Sequence, residues 1–181
     1  MWLGKISQTK GFTLIEIVIT LGIMAIILTI GSFGFNVFNS KVNLNSTAEL
    51  MISDLRSTAL SAINAQQFQG ETPIGWGVYL DKINNRYIIF AGFSQNGLYL
   101  YDKNKFKIVN LPKNIIINNL QFEGRSVASG SLFFYLNSGV PIFENNFLPS
   151  DPDGLNIQLS NSLTNDSINI YINSLGIISQ Q

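Results

Sequence analysis

The sequence predicts an α+β protein in which a long N-terminal helix, half transmembrane and half amphipathic, packs on an antiparallel β-sheet domain. Three observations carry this. Ile17 to Ser40 is a run of 24 residues without a charge. Leu44, Ala48, Met51, Leu55, Ala59 and Ala62 then recur at spacings of three or four, which is one face of an α-helix. Beyond Gly70 the chain breaks into short β-branched and aromatic runs separated by turn residues.

The uncharged run comes first. At 1.5 Å rise per residue it makes roughly 36 Å of helix, against a hydrocarbon core of about 30 Å. It is longer than the apolar region of a secretory signal, and too apolar to be the core helix of so short a chain. Lys5 and Lys10 precede it and only Lys41 follows closely. The excess of positive charge keeps the N-terminus in the cytoplasm, so the expected protein crosses the inner membrane once and carries its C-terminal domain outside the cytoplasm. No proline occurs before Pro73, so the helix is free to run from Phe12 to about Gln67, on the order of 84 Å. Gly31, Gly34, Asn36, Asn39 and Asn43 are weak helix formers and mark where it could bend.

The strands follow. Trp76–Leu80, Arg86–Ala91, Leu98–Tyr101, Phe106–Val109, Ile115–Phe122 and Leu132–Leu136 are the expected runs. Asn84-Asn85, Asn96-Gly97 and Asn137-Ser138-Gly139 are the turns between them. Leu155, Ile157, Leu159 and then Ile168, Ile170, Ile172 alternate with polar residues, the pattern of antiparallel strands buried on one face.

Composition removes most chemistry. The 181 residues include 11 basic and 11 acidic side chains, no Cys and no His. Charged residues are 12% of the chain, about half the usual share. Thiol nucleophiles, imidazole bases, ordinary zinc sites and disulfides are impossible, so an exported body must hold together by packing. Asp81, Asp102, Glu123 and Glu144 are scattered over expected turns and strand ends, with no spacing that pairs them for catalysis. No phosphate-binding glycine loop appears. The expected protein is not an enzyme and uses no cofactor.

The informative string is Lys10-Gly11-Phe12-Thr13-Leu14-Ile15-Glu16 at the head of the apolar run. Gly11 gives a protease an unhindered backbone to extend. Glu16 is a lone carboxylate at the mouth of a membrane helix, costly without a partner. Phe12 lies four residues earlier on the same face, so an α-amine freed there would be a cation at the level of Glu16. These residues resemble the N-terminal signature of type IV pilins and of type II secretion pseudopilins. The resemblance implies a prepilin peptidase that cuts between Gly11 and Phe12 and methylates the Phe12 amine, with Glu16 serving assembly. It also implies other pilin or pseudopilin subunits, an inner-membrane assembly platform and lipid as partners. Gly75–Leu80, Leu111-Pro112-Lys113 and Ile172–Ile177 look like the H-type minor pseudopilins and related minor pilins. Many major pilins carry a helix proline and a C-terminal disulfide, and this chain has neither, which favours a minor subunit. The implied organisation is a leader (1–11), a transmembrane helix (12–40), the amphipathic half of the same helix (41–67) and a β-rich domain (68–181).

Two smaller signals have plainer explanations. Asp151-Pro152-Asp153-Gly154 is a weak calcium candidate through Asp151 and Asp153, but the carboxylate that would complete a site is missing, and an Asp-Gly turn is favoured. Lys103, Lys105 and Lys107 alternate among Tyr99, Tyr101 and Phe106 and could track a nucleic-acid backbone, making the chain a DNA-uptake or surface-binding module. The region from Phe68 onward has seven basic and eight acidic residues, however, so no broad positive field exists. Lysines that guard a sheet edge are the favoured reading, and nucleic acid is not an expected partner.

Overall fold

The computed structural model describes residues 11–93, 105–122, 124–145 and 154–180, with side chains at all of these except 30–39, 105, 144 and 145. Leader residues 1–10, the expected strand Leu98–Tyr101 with its Asn96-Gly97 turn, Asp102, Lys103, Glu123 and the calcium candidates Asp151 and Asp153 lie outside the described residues. The chain divides into two compact units, Met1–Asn39 and Ser40–Gln181.

The protein is α+β. Among the described residues one helix, α1, runs from Leu14 to Ile63. It is followed by ten strands: β1 (Gly75–Asp81), β2 (Arg86–Gly92), β3 (Lys105–Asn110), β4 (Ile115–Phe122), β5 (Arg125–Ser126), β6 (Ser129–Tyr135), β7 (Pro141–Asn145), β8 (Gly154–Asn161), β9 (Ser167–Asn173) and β10 (Ile178–Gln180). They form two five-stranded sheets, β3-β2-β1-β6-β7 and β10-β9-β8-β4-β5, and every pairing is antiparallel.

The helix ends at Ile63, four residues before the expected Gln67. Gln66 N–H donates to the Ser61 carbonyl and Ala65 N–H to that of Ala62, with Ala65 at φ 48°. This is a Schellman cap with alanine where glycine is usual, a stop that needs no proline or glycine and so leaves little trace in sequence. The cap is held from outside. Trp76 Nε1 donates to the Gln66 carbonyl at 3.1 Å, and Asn137 N–H donates to that of Ala62 at 3.2 Å.

Leu44, Ala48, Met51, Ile52, Leu55 and Ala62 are buried in one apolar core with side chains of both sheets. The helical spacing and the late strands behave as their periodicity requires: β8 and β9 bury Leu155, Ile157, Leu159, Ile168, Ile170 and Ile172 and leave the intervening positions wetter. The sheet containing β1 differs. Trp76, Val78, Tyr87, Ile89, Leu132 and Phe134 join the main core, while Tyr79, Ile88, Phe90 and Phe133 form a second buried cluster. Both faces of β1 and β2 are therefore dry, which is why these strands read as continuous apolar runs. Gly75 and Gly77 stand where the Phe133 ring, and at Gly77 also the Phe90 ring, lies against the strand, so a Cβ at either position would collide.

Two asparagine side chains stitch the second unit together. Asn85, at φ 51° in the β1–β2 turn, donates through Nδ2 to the Ile115 carbonyl (2.6 Å) and accepts from the Ile117 N–H (2.9 Å), joining one sheet to β4 of the other. Asn161 donates to the Ser40 carbonyl at 2.9 Å, tying β8 to the start of the second unit's helix. In the same β1–β2 turn, burial pushes the Asp81 carboxyl up, but bonds from Asn84 and Arg86 outweigh it and hold the group below its ordinary value.

A fragment beginning at Ser40 is expected to be soluble and to unfold in one urea transition. Within it Asn85→Gly keeps the left-handed backbone accessible and removes only the two bonds. The expected loss is about 1–3 kcal/mol from the shift in urea midpoint, and an unchanged midpoint would show that the clamp contributes nothing.

Candidate functional site at the helix head

The residues singled out by sequence lie in the first unit. Gly11 is exposed, and a Cβ there would meet nothing within 4 Å. Phe12 is 85% exposed and precedes the helix, whose first residue is Leu14. Thr13 and Glu16 close on each other. Glu16 Oε2 accepts from Thr13 N–H and from Thr13 Oγ1, both at 2.9 Å, while Thr13 Oγ1 accepts from Glu16 N–H at 3.3 Å. This is a reciprocal capping box that satisfies backbone donors otherwise orphaned at a helix start. The signal, Thr-x-x-Glu ahead of an apolar run, is legible in the sequence, where Glu16 alone drew the eye. Among the described residues Glu16 Oε1 receives no hydrogen bond, so the carboxylate keeps one oxygen for another donor.

From Leu14 to Leu28 the helix is apolar on every face. Leu14, Ile15, Ile17, Val18, Ile19, Leu21, Ile23, Met24, Ile26, Ile27 and Leu28 are all at least half exposed. Thr20 and Thr29 donate their hydroxyls back to the carbonyls of Ile17 and Ala25, so neither hydroxyl needs water as an acceptor. The expected transmembrane stretch, 12–40, is not reached here: among the described residues no helix is long and apolar enough to cross a membrane.

Residues 6–32 match the family model of the prokaryotic N-terminal methylation motif. The chain carries the signature of type IV pilins and pseudopilins. That signature marks a pilin-like precursor, processed by a prepilin peptidase and assembled with other pilins, in a family whose role is structural. No curated protein and no solved structure matches the chain.

The other candidates are distributed differently from their sequence pattern. Lys105 and Lys107 lie on β3, an edge strand as expected of guarding lysines, but Lys107 does not simply face water. Its Nζ sits 2.8 Å from both oxygens of Asp54 on α1, and Asp54 also accepts from the Tyr87 hydroxyl at 2.7 Å. The register shifts between Ile89 and Phe90, whose partners are Lys107 and Lys105, leaving Phe106 as the extra residue of a bulge. Phe106 packs edge-on to Trp76 at 5.4 Å. Lys107 thus tethers an edge strand to the helix. Asp81 is used in its turn, Glu144 stands opposite Ser131 in the β6–β7 ladder, and among the described residues no group of acidic side chains could hold a metal.

Burial pushes the Tyr87 phenol far above its ordinary value, and the Asp54 carboxylate adds to the shift. A group whose folded value is raised contributes stability that is whole below its unfolded value, about 10, and declines above it. In the Ser40 fragment stability is expected to fall as pH rises beyond about 10. Tyr87→Phe should remove this alkaline decline. A decline of equal steepness in the variant would assign it to other groups.

Proposed function

We propose that the chain is a minor pilin or pseudopilin, a structural subunit of a type IV pilus or a type II secretion pseudopilus. One observation carries the reading: the methylation signature heads a helix whose apolar side chains face outward in every direction. A helix of that kind is stable only when covered by lipid or by other apolar helices. The sequence supplies the remainder of the span, because Ile17 to Ser40 contains no charge. The precursor then sits in the inner membrane with its N-terminus in the cytoplasm, as the placement of Lys5 and Lys10 favours. The peptidase cuts between Gly11 and Phe12, and Phe12 becomes the methylated N-terminus. Gly11 suits this role, being exposed, unhindered and ahead of the first helical turn.

Glu16 is the assembly residue in this reading. Its Thr13 cap orients the carboxylate and supports its charge on one oxygen, leaving Oε1 for the Phe12 ammonium of a neighbouring subunit. Helices that pack without lipid or water make an unpaired carboxylate expensive, so the pair selects one axial register and penalises others. The alternative, a subunit that grips DNA or a surface, has less support. Lys107 is committed to Asp54 and the body has no net positive field.

Mass spectrometry of the mature protein is expected to find Phe12 first and N-methylated, whereas an N-terminus beyond Gly31 would sink the reading. Glu16→Val should insert and be cleaved normally yet fail to enter the filament. Wild-type incorporation of that variant would remove the pairing mechanism.

A further inference from the structure

Hydrogen bonds gather four segments at one end of the second unit. Asn161 Nδ2 donates to the Ser40 carbonyl and Ser162 N–H to that of Asn114. Asn85 bonds Ile115 and Ile117 through its side chain, and its carbonyl accepts from Leu111 N–H. The start of the unit's helix, the β1–β2 turn, the β3–β4 connection and the β8–β9 turn therefore lie together. The helix stop at Ile63 marks the other end, about 35 Å of helix away. There a Cβ at Gly139 would lie 3.0 Å from Ile63, and one at Gly176 would lie 3.1 Å from the Gly139 carbonyl.

Two properties distinguish the Ser40 end. Ile83 and Leu163 stand in its turns 78% and 65% exposed, and Val42 on the helix is 43% exposed. Segments 40–43, 81–86, 111–115 and 161–167 carry Lys41, Lys82, Arg86 and Lys113 against Asp81 and Asp166, an excess of positive charge in a chain that is neutral as a whole. Arg86 and Asp81 pair with each other at 3.2 Å, so the local field is set by three lysines and Asp166. Apolar side chains in turns among lysines suit the headgroup region of a bilayer, where the apolar groups bury and the ammonium groups stay with the phosphates.

Chain continuity supplies the bilayer. Ser40 closes the uncharged run that begins at Ile17. Whatever angle the two units adopt, the loops bonded around Ser40 meet the surface of a membrane that holds this run.

We propose that the Ser40 end of the second unit docks on the surface of the bilayer that holds its own apolar helix. Leu163 and Ile83 enter the headgroup region, and Lys41, Lys82 and Lys113 lie against anionic lipid. The inference rests on the reading of the chain as a membrane-held filament subunit, and names what its body touches before assembly. Passage into a filament then requires breaking this contact as well as withdrawing the helix.

The test uses the full chain in vesicles of phosphatidylcholine with or without phosphatidylglycerol, and its lack of cysteine lets a single introduced cysteine carry a fluorophore. Leu163→Cys is compared with Leu175→Cys, a position 72% exposed at the far end beside Gly176. A quencher is fixed to the lipid at headgroup depth. In anionic vesicles the label at 163 is expected to be quenched about threefold more than the label at 175. Adding Lys82→Gln with Lys113→Gln, or omitting phosphatidylglycerol, should reduce that excess about threefold. A tether alone would hold the label near lipid in every case, so quenching that ignores both changes would overturn the proposal, as would equal quenching at the two positions. A label on Ile23→Cys, read with a quencher deep in the acyl chains, reports insertion of the helix. Quenching at 23 without quenching at 163 would overturn the docking alone, whereas no quenching at 23 would overturn the membrane reading with it.

Discussion

An α-helix that is apolar on all sides needs a cover, and the proposed reading turns on what supplies it. Burying one large aliphatic side chain is worth about 1.5–3 kcal/mol, so the exposed residues from Leu14 to Leu28 leave tens of kcal/mol unclaimed in water. In the proposed reading the cover comes from lipid or from other helices. That demand explains why Glu16 is the sole charge between Phe12 and Ser40, and why its carboxylate is capped by Thr13. It also explains why Thr20 and Thr29 bond inward to their own helix.

The second unit solves the opposite problem with the same element. From Ser40 onward the helix exposes only one side, and both sheets close over the other. Without cysteine the unit relies on packing and on a few polar bonds across long stretches of chain: Asn85 from sheet to sheet, Asn161 to Ser40, and Trp76 to the helix cap. Each satisfies a backbone group that no helix or strand ladder supplies with a partner. Lys107 and Tyr87 share Asp54 in the same spirit, fastening an edge strand to the helix.

Much of this was legible before the structure. Spacing of three and four marked Leu44 to Ala62, and alternation marked β8 and β9, because each pattern has a single geometric cause. β7 escaped because it opens with Pro141, which is tolerated at the start of an edge strand but reads as a breaker. β10 escaped because three residues cannot display a period. The bulge at Phe106 was invisible, since an extra residue has no signature. At the helix head the string from Gly11 to Glu16 was readable because its chemistry is local, whereas the capping box that ties Thr13 to Glu16 went unread although Thr-x-x-Glu carries its signal.

The central claim is that the apolar helix is retained in the mature protein and is covered first by lipid and then by neighbouring subunits. The absence of cysteine makes a clean probe possible: Ile23→Cys carries a single spin label in the full chain. In membranes the account predicts strong relaxation of that label by dissolved oxygen and little by a water-soluble paramagnetic complex. In assembled filaments both should fall as helices replace lipid. Ready access to the aqueous reagent in membranes, or absence of residue 23 from the mature protein, would contradict it.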